Sequence, residues 1–253
     1  MKVGNKPLPH SVRVKGVIFD YGGTIDTNSR HWAAVLWEKY REAAVPCQYE
    51  QFREAYIFAE RALAKYPYIR PDHNFLDVLQ IKVKLELEYL AEHGFVNADE
   101  RELCRLSDEV AQKCYEYVRS TLQVTRPVLE RLSHQYKMVL VSNFYGNIHT
   151  ILRDFALDGF FSNVIESSVV GVRKPDPAIY QLGVNALGLP ADEVLVVGDS
   201  FSKDIVPAKT IGCHAVWLRG EGWGHEETDE TLPDMIISNL EELTLNRMTD
   251  YAR

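Results

Sequence analysis

"VIFDYGGTID", residues 17–26, runs an apolar stretch into an aspartate and then into a Gly-Gly turn. An unbroken apolar run suits a strand buried on both faces. A carboxylate at its end, followed by residues that let the backbone turn tightly, suits a strand end that faces a ligand. Comparable runs follow at "KMVLVSN" (137–143), "EVLVVGDS" (193–200) and "HAVWLRG" (214–220), with a weaker one at "DMIIS" (234–238). Helical spacing over 126–134, 147–154, 177–188 and 201–211 separates them. Strand alternating with helix predicts an α/β protein, a doubly wound parallel sheet with helices on both faces.

Residues 29–122 break this rhythm. A helix is expected from Asn28 or Ser29 to just before Pro46. Phe52, Tyr56, Ala59 and Leu63 then share one helical face, and that helix is expected to end near Pro67. "QIKVKLELEY" (80–89) alternates apolar and polar residues, which is a strand period. Its Lys, Leu and Glu residues favour helix, its neighbours are helical and no partner strand is evident, so helix is assigned. Leu103, Leu106, Val110, Cys114 and Tyr117 mark a fourth helix. The expected organisation is an α/β core of residues 1–28 and 123–253, interrupted at 29–122 by a helical insert. Hinges are expected near 27–31 and 120–126.

The net charge of −8 argues against nucleic acid or an anionic membrane as partner, while leaving room for a locally positive site that binds a small anion. Cys47, Cys104, Cys114 and Cys213 form no Cys-x-x-Cys pair, which predicts free thiols in a reducing cytosol. The N-terminal stretch lacks the apolar run of a signal peptide. No segment approaches the ~18 consecutive apolar residues that would span a bilayer. A cytoplasmic location is therefore expected.

Chemistry-bearing residues gather at the strand ends. The first run gives Asp20, Gly22, Gly23 and Thr24; the second gives Ser142 and Asn143; the third gives Gly198, Asp199 and Ser200, with Asp204 one helical turn on. Between the second and third, "GVRKPDPAIY" (171–180) places Lys174 before two prolines that stiffen the start of a helix. Singly these are ordinary features: a helix cap, a turn, a solvated lysine, a loop. Together, in this order, they resemble the haloacid dehalogenase (HAD) superfamily of hydrolases, through "FDYGGT", "VLVSN", "RKPDP" and "VVGDSFSKD".

The resemblance implies a Rossmann-like core with a helical cap domain after its first strand, and a Mg2+-dependent phosphatase acting on a small phosphorylated metabolite. Asp20 would attack phosphorus to give an aspartyl phosphate. The metal would sit on the Asp20 carboxylate, the Gly22 carbonyl and Asp199, with Asp204 supporting it directly or through water. Lys174 would provide a fixed positive charge beside Asp20. Ser142, Asn143 and backbone N–H groups near Gly23 and Thr24 would hold the phosphoryl oxygens.

One position departs from the pattern. Many relatives read D-x-D-G-T, with the second aspartate as general acid and base; here it is Gly22. A backbone carbonyl survives the change, but proton transfer, typically ~10²–10⁴-fold in rate, does not. A substrate with a good leaving group would need no acid. Asp26, His31, Tyr68 or His73 would be alternative proton sources. Carbon–phosphorus cleavage through Lys65 as a Schiff base is a third reading, and 2-haloacid dehalogenation is disfavoured by the retained "GDSFSKD" loop. A phosphate-binding protein without turnover is the non-enzymatic alternative. Tyr66 and Tyr68, with Arg70 and His73, are the insert residues expected to reach a substrate, and "EGWGHEETDE" (221–230) is a loop expected to flank the site or simply to connect.

Overall fold

A computed structural model describes residues 14–220 and 227–243; residues 221–226 of the expected flanking loop lie outside them. The elements in chain order are β1 (Gly16–Phe19), α1 (Trp32–Glu42), α2 (Tyr49–Lys65), α3 (Phe75–Glu92), α4 (Glu100–Ser133), β2 (Lys137–Ser142) and α5 (Ile148–Asp154). After these come β3 (Asn163–Glu166), α6 (Ser167–Val170), α7 (Ala178–Leu187), β4 (Val194–Gly198), α8 (Val206–Thr210), β5 (His214–Leu218) and β6 (Met235–Ile237). The chain divides into two compact units, residues 1–31, 121–144 and 156–253 in one, and residues 32–120 and 145–155 in the other.

The first unit carries a six-stranded sheet in the order β3-β2-β1-β4-β5-β6. Every pairing is parallel. β1 lies between β2 and β4, where chain direction through the sheet reverses, so the ends of these three strands form the switch point at which such sheets bind ligands. All of β1 and β4, and β2 after Lys137, are buried. Ile18, Val139, Val141, Val194 and Val196 point to one face and pack with Ile179, Tyr180, Val184 and Leu187 of α7. Fully burying each such aliphatic side chain is worth roughly 1.5–3 kcal/mol, which fixes the strand ends within the sheet. The strand β3 escapes sequence reading: "NVIE" is four residues long and half polar. It pairs with the chain's own β2, Ser142 opposite Glu166.

The second unit is helical. Residues 80–89 lie inside α3, and the strand-like alternation has a physical origin. Phe75, Val78, Leu79, Val83, Leu87 and Leu90 form the buried stripe, but Lys82 and Glu86 occupy two of its positions. Polar residues on the buried face mask the 3.6-residue period. Asn74 caps this helix by accepting from Asp77 N–H at 3.0 Å.

One boundary differs from expectation. The first helix starts at Trp32, not at Asn28 or Ser29. Both of those residues are left-handed, with φ of 52° and 82°. The turn they make is held by Ser29 N–H donating to the Gly23 carbonyl (2.9 Å) and Leu240 N–H donating to Asn28 Oδ1 (2.9 Å). Residues 120–126, expected as a hinge, lie within α4, which runs to Ser133 with Pro127 inside it, and the division between the two units falls at 120/121. Its buried residues include Leu106, Val110, Cys114 and Val118 in one unit and Leu122, Leu129 and Leu132 in the other. The four cysteines are free thiols. No helix among the described residues is long and apolar enough to cross a membrane.

Candidate active site

Asp20 follows β1 directly and is buried, its N–H bonded to the Val197 carbonyl of β4 at 3.0 Å. Lys174 is buried with it: Nζ donates to Asp20 Oδ1 at 2.5 Å and to Asp204 Oδ1 at 2.8 Å. Burial pushes the Asp20 carboxyl up, with Lys174 pulling it down and Asp204 pushing it further up, to about 6. Burial works against the Lys174 ammonium, but Asp20 and Asp204 outweigh it and hold the amine protonated. Asp199, partly buried at the end of β4, is pushed well above the carboxylate range by burial and then by Asp204 and Asp20. Ligand atoms of Asp20, Asp199 and Asp204 lie within 4.8 Å of one another. Three converging carboxylates against one ammonium leave excess negative charge, which suits a hard divalent cation.

The turn after β1 is shaped by what it must approach. Gly23 is left-handed (φ 91°), and any Cβ on it would collide with the Asp199 carboxylate. Asp26 accepts from Gly23 N–H at 2.7 Å, so its carboxylate braces the turn from within. Thr24 Oγ1 stands 3.2 Å from Asp20 Oδ2 and 3.3 Å from Asp199 Oδ1. One hydroxyl proton cannot fully serve both carboxylates. Gly22 differs from Gly23: a Cβ there would meet nothing within 4 Å.

The remaining strand-end residues divide in role. Ser142 is buried at the end of β2. Asn143 uses both ends of its amide on the Lys174 backbone, Nδ2 to the carbonyl (3.1 Å) and Oδ1 from the N–H (2.9 Å). Its side chain thus holds the lysine in place. Asp204 is fully engaged as well, accepting from Lys174, from Tyr180 Oη at 2.6 Å and, through Oδ2, from Ser200 N–H at 2.9 Å. Sequence reading missed Tyr180. A tyrosine on the buried face of a helix needs a partner for its hydroxyl, and that requirement was the available signal.

Residues named in the insert belong to the helical unit. Tyr66 and Tyr68 are exposed and contact each other edge to face at 6.1 Å. His73 is buried, Nδ1 accepting from Arg70 N–H at 3.2 Å. Lys65 is exposed at the end of α2, with Nζ 5.0 Å from the Tyr66 ring centre. A Schiff-base lysine is usually set in a desolvated pocket, and Lys65 is exposed.

A family model for haloacid dehalogenase-like hydrolases matches residues 14–212. The chain is 35% identical over 91 residues to a glyceraldehyde 3-phosphate phosphatase of Pyrococcus abyssi, 36% of this chain and 38% of that one. It is 34% identical over 107 residues to a haloacid dehalogenase-like hydrolase domain-containing protein of Danio rerio, 42% of this chain and 44% of that one. The chain thus spans less than half the length of these relatives. A longer match, 25% identical over 239 residues and 94% of its length, is to an (S)-2-haloacid dehalogenase of a Pseudomonas species. Among solved structures, a magnesium-bound HAD hydrolase from Bacillus subtilis superposes with a TM-score of 0.56 at 19% identity, covering 91% of this chain and 97% of that one.

Proposed function

The chain belongs to the haloacid dehalogenase-like hydrolases, and from that premise we propose that it is a Mg2+-dependent phosphatase of small phosphorylated metabolites whose leaving groups depart without a proton. The observation that carries this reading is the buried Asp20 carboxylate, paired with Lys174 and set among Asp199 and Asp204. Relatives named as glyceraldehyde 3-phosphate and phosphoserine phosphatases support phosphate chemistry on small metabolites.

The residues divide the work as follows. Asp20 Oδ attacks phosphorus and the bond to the leaving oxygen breaks; water then attacks the same phosphorus, the Asp20 Oδ–P bond breaks, and the water proton leaves with the released phosphate. Lys174 keeps Asp20 aligned and offsets its charge as the phosphoryl group arrives. Asp20, Asp199 and the Gly22 carbonyl would hold Mg2+, which when bound neutralises the phosphoryl oxygens. Asp204, with three donors already on its carboxylate, fits the supporting role better than direct ligation. Ser142 would bond a phosphoryl oxygen. Position 22 offers no proton, so the leaving group must be weakly basic: an acyl phosphate, a sugar 1-phosphate or an anhydride.

The test is phosphate release from a panel of acyl phosphates, sugar 1-phosphates, alkyl phosphates and a phosphonate, with MgCl2 or with EDTA. Release should favour the acyl and sugar 1-phosphates, stop in EDTA and vanish in Asp20→Asn. Equal rates on alkyl phosphates would sink the leaving-group argument. A second reading, carbon–halogen hydrolysis by the same Asp20, draws on the absent second aspartate and on the long match to a haloacid dehalogenase. Chloride release from 2-chloropropionate in EDTA would favour it. Tight phosphate binding with no turnover on any compound would favour a binding protein.

A further inference from the structure

The peptide group between Asp199 and Ser200 is gripped at both ends by side chains. Its N–H, on Ser200, donates to Asp204 Oδ2 at 2.9 Å. Its carbonyl, on Asp199, accepts from the indole Nε1–H of Trp217 at 2.9 Å. Trp217 belongs to β5 and lies opposite Gly198 in the register with β4, so the indole reaches across one strand to the residue just beyond the strand end. Its ring is buried against Phe201, 5.3 Å between ring centres, and Arg219 lies 5.5 Å from its ring centre. Arg219 is itself tied to Glu230 at 2.5 Å. The indole is therefore held in one orientation by packing.

A buried tryptophan ordinarily finds some acceptor for its N–H, and that alone would be unremarkable packing. The choice of acceptor is what matters here. The Asp199 carboxylate receives the Thr24 hydroxyl at 3.3 Å, a long bond contested by Asp20. With so weak a hold on the side chain, its aim follows the backbone that carries it. A displacement of the backbone at 199–200 would carry the carboxylate with it, and the two clamps oppose that displacement. Gly198 lets the Asp204 side chain close in on this backbone, since a Cβ there would lie 2.5 Å from it.

We propose that Trp217 is a positioning residue, which by clamping the Asp199 carbonyl holds the Asp199 carboxylate in place to share a divalent cation with Asp20. This rests on the reading of the carboxylate cluster as a Mg2+ site. Groups that orient a metal ligand typically change affinity by 10–100-fold when removed, although they touch no metal.

The experiment is calorimetric titration of MgCl2 into the wild-type protein, Trp217→Phe and Trp217→Leu, alongside their melting temperatures without metal. Phe keeps most of the ring packing and loses the N–H; Leu loses both. Positioning predicts that both variants bind Mg2+ at least tenfold more weakly, by similar factors, although Leu melts well below Phe. Binding by Trp217→Phe within twofold of wild type would overturn the proposal. So would affinity losses that follow the melting temperatures, with Leu far worse than Phe. Should the variants fail to fold, the Trp217 indole N–H resonance of the wild type decides, assigned through Trp32→Phe, Trp37→Phe and Trp223→Phe. It should shift on addition of MgCl2, and a fixed resonance overturns the role. A wild-type protein that takes up no Mg2+ removes the metal reading itself, a failure visible before any variant is examined.

Discussion

Gly22 and Gly23 are neighbours with opposite constraints. Gly23 cannot carry a side chain, because its conformation is left-handed and Asp199 fills the space. Gly22 has open space around its missing Cβ, so no steric demand of the described fold keeps it glycine. If proton transfer is what the site lacks, Gly22→Asp should supply it. General acids contribute ~10²–10⁴-fold, so the expected gain on alkyl phosphates is at least tenfold, with little change on acyl phosphates, measured as kcat/KM on both series, which reports transfer to Asp20 and not the shared hydrolysis. A parallel gain on both would mean that the new carboxylate acts on the shared step, as a base for the water that hydrolyses the aspartyl phosphate. Tyr180 offers a second residue-level test. Tyr180→Phe removes a hydroxyl bond to a carboxylate that holds Lys174. Hydrogen bonds to charged groups are worth about 1.5–3 kcal/mol. The expected result is a lower melting temperature and a loss of about tenfold in kcat; unchanged kcat would show that Lys174 needs no such support.

The element α3 shows what a buried polar residue does to a helix. Glu86 is fully buried, accepts from Tyr40 Oη at 2.8 Å, and has no partner for Oε1. Lys82, one turn earlier, is bonded to Glu60 of α2 and lies 4.4 Å from the Tyr56 ring centre. Burial raises the Glu86 carboxyl, Lys82 and Tyr40 lower it, Glu60 raises it, and the result is about 7 against an ordinary 4.5. Across that interval the folded chain holds a proton that the unfolded chain has released. Stability from this group is therefore complete below pH 4.5 and lost as pH rises through 7. At about 1.4 kcal/mol per pKa unit the loss is on the order of 3 kcal/mol. Glu86→Gln should leave unfolding by urea unchanged at pH 4.5 and stabilise the protein at pH 8; equal effects at both values would refute the assignment. The same residues explain what was legible in the sequence. Strands β1, β2 and β4 could be read because each is apolar throughout and ends in polar residues, and the site residues sit at those ends. Residues 80–89 sent a mixed signal because Lys82 and Glu86 occupy buried positions. β3 was invisible because "NVIE" has no pattern without its partner β2. Tyr180 and Trp217 resemble ordinary core residues in sequence; their roles arise from contacts 24 and 18 residues away.

Over the whole molecule, burial of charge at the sheet's switch point sets how stability depends on ligand and pH. Asp20 and Asp204 share the Lys174 ammonium, and Asp199 stands in the same cluster of carboxylates. Asp20 is raised from 3.8 to about 6, chiefly by burial, so its contribution to stability is complete below pH 3.8 and is lost as pH rises through 6. A divalent cation acts in the opposite sense, because it binds the ionised carboxylates and must displace protons below that range. Mg2+ at a hundred times its dissociation constant adds about 2.7 kcal/mol. At about 2–4 °C per kcal/mol for a chain of this size, the melting temperature should rise by roughly 5–10 °C at pH 8. The rise should shrink towards zero at pH 5, where protons compete for the same oxygens, and EDTA should reverse it. Asp199→Asn should abolish the shift at both pH values, because it removes one of the three clustered carboxylates. Scanning calorimetry at the two pH values, with and without MgCl2, measures all of this. A shift of equal size at pH 5 and pH 8, or one that survives Asp199→Asn, would place any Mg2+ effect away from this carboxylate cluster.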